Sequence, residues 1–208
     1  MEALVKISHG LDGLITRVGK IAAWGSLGMI LVTVFDVLTR NFSQSEWQLL
    51  RDLVAHQQNF FGSTKLQELE WHLHTILFAL CLGYAYMRDA HVRIDLVRER
   101  LPERLRWWIE LIGVLFFLMP ICALIAWFSI DFTISSYNQH EISSSATGLT
   151  HRWIIKSAIP IGFALLFLAG IAVLLRKIVE LFAPPELRAK VGKEEEAEAA
   201  HLEKIDDV

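Results

Sequence analysis

Hydrophobic residues in this chain come in long runs, and the charged residues are pushed to the ends of those runs. No Asp, Glu, Lys or Arg lies between Glu110 and Asp131, nor between Lys156 and Arg176. Each gap is close to the ~20 residues needed to cross ~30 Å of hydrocarbon. Two shorter runs, Lys20 to Asp36 and Glu70 to Arg88, sit near the lower limit of about 17 residues, with end residues that can snorkel. The pattern predicts an all-α membrane protein with four transmembrane helices, about 21–38, 69–87, 107–130 and 153–175, in one membrane domain over residues 20–180. Ahead of it, Leu4, Ile7, Leu11, Leu14 and Val18 recur at steps of three and four, with Lys6, Asp12 and Arg17 between them. That spacing predicts an N-terminal amphipathic helix over 1–19, lying at the membrane interface. Behind the domain, Pro184 and Pro185 lead into an acidic, Ala-rich stretch, so residues 181–208 read as a solvated cytoplasmic tail.

Composition supports this reading. Of the 208 residues, 53% are hydrophobic and 21% charged, which is too apolar for a soluble domain of that length. The net charge of -3 decides nothing, because orientation follows Lys and Arg in short loops. Arg88, Arg93, Arg98, Arg100, Arg104 and Arg106 crowd the loop between the second and third spans. Lys6, Arg17 and Lys20 precede the first span, and Arg176 and Lys177 follow the last. The opposite side holds only Arg51, Lys65 and Arg152, with Arg40 and Lys156 at its border. The asymmetry places both termini and the 88–106 loop in the cytoplasm. Trp71, Trp107, Trp108 and Trp153 fall at the expected interfaces, where indole rings concentrate. The first run is not a cleaved leader, since it lacks a small-x-small site and is followed at once by Asp36 and Arg40. Cys81 and Cys122 lie mid-run and read as small buried hydrophobes, not as a disulfide or metal pair. No basic patch interleaved with aromatics points to nucleic acid.

Several polar groups invite a chemical reading. Asp36 and Arg40 lie four apart near the end of the first span, acid first, a spacing that suits an ion pair on one helix face. An unpaired carboxylate there would suit a proton or sodium relay, but Arg40 would neutralise it. Glu68, Glu70, His72 and His74 open the second span, yet the histidines are two apart and point to different faces. The zinc motif H-E-x-x-H is absent. A haem or quinone anchor of an electron-transfer complex is the competing class, but haem between helices calls for facing mid-span histidines and none lies mid-span. Ala79 with Gly83, and Ala158 with Gly162, allow close helix approach. Pro120 and Pro160 are candidate kinks. A transport pathway needs polar groups at the midplane, and here they sit at the span ends. The composition describes a scaffold, with no enzymatic site and no cofactor of its own.

The stretch "LQELEWHLHTILFALCLGYAYMRDAHVRIDLV" (66–97) closely resembles the small membrane subunit of tripartite ATP-independent periplasmic (TRAP) transporters. In that family an acidic-Trp opening leads into the second span, then Leu-Gly-x-Ala, then H-x-R-x-D and an apolar residue. Here these are Glu68, Glu70 and Trp71; Leu82, Gly83 and Ala85; then His91, Arg93, Asp95 and Leu96. "DVLTRN" (36–41) and "IPIG" (159–162) resemble the end of the family's first span and the start of its last. The likeness runs over roughly residues 20 to 180. It departs at 42–66, a longer first outer loop with helical character at Trp47, Leu50, Leu53 and Val54, similar to the longer-looped branch of the family. The resemblance implies a sodium-driven importer of small organic acids in the bacterial inner membrane. A periplasmic solute-binding protein would deliver solute, a large multi-span subunit would move it and couple it to sodium, and this chain would brace the mover. His91, Arg93 and Asp95 would then form an inner-loop brace against lipid or the partner subunit, and Glu141 and Arg152 would help to dock the binding protein.

Overall fold

A computed structural model describes residues 1–43, 47–49, 51, 52, 54, 55, 62–88, 90 and 100–184. Four helices account for nearly all of them: α1, Glu2–Ser43; α2, Ser63–Met87; α3, Glu103–Asn138; and α4, Trp153–Phe182. The described residues contain no strand. By length and composition α1, α3 and α4 can each cross a membrane. The 25 residues of α2 are also long enough, but Glu68, Glu70, His72 and His74 at its start leave it without an uninterrupted apolar stretch as long as those of the other three.

Helix α1 runs unbroken through the boundary expected near residue 19. At ~1.5 Å per residue its 42 residues extend roughly 63 Å, about twice the hydrocarbon thickness. The buried positions also differ from the predicted apolar stripe. They are Ser8, Asp12, Ile15, Gly19 and Ala22, at steps of four and three, while Ile7 and Leu14 are exposed. The segment expected to lie on the membrane surface is therefore the first five turns of a longer helix, seated on its neighbours by small and polar side chains. In hydrocarbon there is little gain from hiding leucine, and helices meet where small residues allow close approach or polar groups can pair.

The same rule organises α4. Ala158, Gly162, Leu165, Ala169, Ala172 and Val179 are buried, again at steps of four and three with Arg176 filling the remaining place. A Cβ on Gly83 would come within 3.0 Å of the Leu165 carbonyl oxygen, and one on Gly162 would lie 2.8 Å from the Ala79 carbonyl carbon. The two predicted small-residue pairs thus face each other across α2 and α4, which run parallel. Helix α4 packs on α1, α2 and α3, whereas α3 finds its helix partner in α4.

Pro120 is accommodated within α3 by a wider turn. Residues Val114–Leu118 wind as a π-helix, and the Met119 N–H bonds the Val114 carbonyl five residues back. A proline ring would otherwise press on the carbonyl four residues before it. Val114, Leu118 and Met119 of this segment lie against Gly170 of α4. Pro160 is carried inside α4 without ending it, and α4 stops where Ala183 turns extended (φ -81°, ψ 159°) ahead of Pro184.

His91, Arg93, Asp95, Leu50 and Leu53 lie outside the described residues. So does the expected tail, except for residues 181–184, of which Leu181 and Phe182 complete α4. Of the first outer loop's helical character, one turn is described: the Arg51 N–H bonds the Trp47 carbonyl at 3.2 Å.

Candidate functional site

The polar groups gather at the two ends of the bundle. At the far end, where α1 stops and α4 begins, Asp36 is fully buried (0% exposed). It pairs with Arg40 one turn on and accepts a hydrogen bond from Ser63 of α2 at 3.0 Å. The Gln67 side-chain oxygen, in the orientation that satisfies it, accepts from both Arg40 terminal nitrogens at 3.0 and 3.1 Å. The predicted i,i+4 pair therefore exists, and it ties α1 to the first turns of α2.

Glu68 does the corresponding work between α2 and the α3–α4 turn. One carboxylate oxygen accepts the Leu149 N–H at 2.6 Å and the other accepts the Ser143 hydroxyl. The turn is folded on itself as well. Helix α3 ends in a Schellman motif, with the His140 N–H on the Tyr137 carbonyl and the Glu141 N–H on the Ser136 carbonyl, both at 3.1 Å. His140 occupies the left-handed position (φ 47°) where glycine is usual. Glu141 pairs with Lys156, and the Lys156 ammonium, with the Ser136 hydroxyl, holds the Glu141 carboxyl below its ordinary range. The Arg152 N–H bonds the Glu141 carbonyl at 3.2 Å, and its guanidinium is near enough to favour the ionised forms of both Glu68 and Glu141. Glu70 is half-buried on α2, and Trp71 points outward. Of the candidate residues, Asp36 with Arg40, and Glu68 with Glu141 and Arg152, are brought into two adjoining clusters.

The near end, where α1 begins and α4 stops, holds a cluster absent from the candidates. Asp12 (6% exposed) accepts from Arg176 of α4 at 2.6 Å and lies 3.7 Å from Arg88, the residue that caps α2. Arg88 also donates to Thr16 at 2.7 Å and lies over the Tyr84 ring. Arg176 also donates to Ser8, whose hydroxyl in turn donates to the Ala172 carbonyl at 3.0 Å. One carboxylate thus joins three helices. Beside it, Lys177 of α4 bridges Glu110 of α3 at 3.2 Å and Glu180 at 2.9 Å. The signal for Asp12 was present in the sequence: Ser8, Asp12, Gly19 and Ala22 share a small and polar seam, the kind membrane helices use for contact.

The family model "Tripartite ATP-independent periplasmic transporters, DctQ component" matches residues 29–180. The chain belongs to the DctQ component family. No curated protein and no solved structure matches it. This DctQ component is thus a part of a TRAP transporter, the family its residues resemble, and a membrane protein. The match takes in Asp36, Arg40, Glu68 and all but the last two residues of α4, and leaves Ser8 and Asp12 before it. The near-end cluster therefore draws on a segment outside the family's matched core.

Proposed function

We propose that this DctQ component braces the large multi-span subunit of its transporter and carries no solute path of its own. The observation behind this reading is what its inward carboxylates do. Asp12, Asp36, Glu110 and Glu141 each meet a cation of the same chain. Such groups fix helices to one another, whereas an ion or solute site needs carboxylates left accessible. Sodium coupling then belongs to the large subunit, and the solute is a small organic acid delivered by a periplasmic binding protein. Four crossings, with α2 shielded between α1 and α4, put both termini in the cytoplasm and the α3–α4 turn in the periplasm. The turn's stiffness, with Glu141 and Arg152 on it, suits a docking surface for the binding protein. Lipid covers what the partner does not.

Uptake into liposomes tests this reading. Liposomes holding the large subunit, the binding protein and a sodium gradient should take up solute only when this chain is also present. Liposomes holding this chain alone should take up none. Uptake by the chain alone would overturn the brace, and so would full uptake without it.

A further inference from the structure

Asp131 differs from the carboxylates that link the helices at the two ends of the bundle. On α3 the inward positions are Cys122, Ser129 and Ser136, seven apart and all buried. The opposite seam runs Phe117, Ile121, Leu124, Phe128, Asp131 and Ser135, at steps of four and three, and every one is exposed. Asp12, Asp36 and Glu110 turn inward onto a basic partner, but Asp131 turns outward. Among the described residues no donor or cation of this chain reaches it. It sits between exposed Trp127 and Phe128 (67% exposed) on one side and exposed Ile134 on the other, level with Lys156, whose ammonium is 3.7 Å from the neighbouring Phe132 ring centroid. Asp131 lies at the end of the third span expected from the sequence, but Phe132, Ile134 and Tyr137 beyond it are also exposed, and aspartate has too short a stem to lift its charge away from that apolar surface, as Lys or Arg can.

The outward face of α1 shows the contrast. It exposes Ile21, Trp24, Leu31 and Val34, and it carries no Asp, Glu, Lys or Arg between Lys20 and Asp36. Lipid alone satisfies such a face. A face that sets a carboxylate among aromatic side chains, on a helix whose main partner among the described elements is α4, offers a docking site for a cation at a fixed depth.

Resting on the brace reading, we propose that the α3 face from Phe117 to Ser135 is the surface that meets the large subunit. Asp131 there pairs with a Lys or Arg on one of that subunit's membrane helices. The partner helix packs along the seam, its small residues admitting Phe128 and Leu124, and the ion pair sets its height.

Photo-crosslinking in the co-expressed complex tests the assignment. A benzophenone side chain placed at Phe128 should capture the large subunit, and one placed at Trp24 should not. Asp131→Lys should lower the captured yield by roughly tenfold or more, and Asp131→Asn should lower it less. The yield of this chain expressed by itself should not change, which separates docking from folding. An acidic substitution at one basic residue of the large subunit should restore capture by Asp131→Lys. Capture from position 24 and not 128 would overturn the proposal, as would undiminished capture with Asp131→Lys or crosslinks to lipid alone. If the unsubstituted chain fails to co-purify with the large subunit, the brace reading falls with it. If it co-purifies but Asp131→Lys changes nothing, only the Asp131 assignment falls.

Discussion

At the near end of the bundle a single carboxylate, Asp12, meets two guanidiniums that arrive from two other helices. At the far end Asp36 meets a guanidinium from its own helix, and Glu68 is satisfied by a backbone N–H and a hydroxyl. The near end is thus held by charge between distant segments, and the far end by shorter links that each join two elements. Loss of one partner should have different consequences. Without Asp12, the Arg88 and Arg176 guanidiniums would lose the carboxylate they share in a place with little water, since each is 13% exposed. Without Asp36, Arg40 can turn outward, since its side chain is already 49% exposed.

The largest effect is therefore expected from Asp12→Ala. Removing one partner from a buried ion pair typically costs about 3–5 kcal/mol, and here two guanidiniums lose that partner at once. The detergent-solubilised protein should unfold at a markedly lower temperature, and Asp12→Ala with Arg176→Leu should recover much of the loss. If Asp12→Ala is as stable as the parent, the near end is not held by this carboxylate.

Next come Asp36→Ala and Glu68→Ala, each expected to cost about 1–3 kcal/mol through unsatisfied or lost hydrogen bonds to an ionised group. Glu68→Ala should also expose the α3–α4 turn to proteolysis after Arg152, while Asp36→Ala should not. Equal cleavage in both would erase the distinction between the two far-end clusters. A double-mutant cycle on Asp36 and Arg40 should show coupling, and additive losses would argue against the pair.

The smallest effect concerns acid. The Glu141 carboxyl titrates below its ordinary value of 4.5 because of Lys156 and Ser136. A depressed carboxylate contributes stability that is present above that value and lost as pH falls through the lower, folded one. The turn should hold at pH 5 and above and loosen only in stronger acid, and Glu141→Gln should remove that part of the pH dependence. Protease sensitivity of the turn, followed against pH, gives the comparison; identical profiles would contradict it.

The sequence made three of the helices legible through their charge gaps, because excluding charge from hydrocarbon leaves runs visible without any partner. Asp36 with Arg40 was legible for a similar reason: both ends of the interaction lie within one helical turn. Asp12 with Arg176 was not, because its two ends lie 164 residues apart and nothing local records their meeting. The contact side of residues 1–19 was hard to read for a physical reason too. Leucine and isoleucine mark the buried side of a helix in water, whereas the side of α1 that meets its neighbours carries Ser8, Gly19 and Ala22. Helix α2 is ambiguous by composition, since its polar start serves the Ser63 and Glu68 contacts of the far end.

If this chain braces its transporter without choosing what is moved, a change in it must act on every solute alike. Competition among a panel of organic acids, measured as uptake in the reconstituted three-part system, is the decisive measurement. The large subunit and binding protein would be held fixed while Asp12→Ala, Asp36→Ala and Glu68→Ala are exchanged for the parent chain. Uptake of every acid should fall by the same factor for a given variant, leaving their order unchanged. A variant that reorders the acids, favouring one over another relative to the parent, would contradict it.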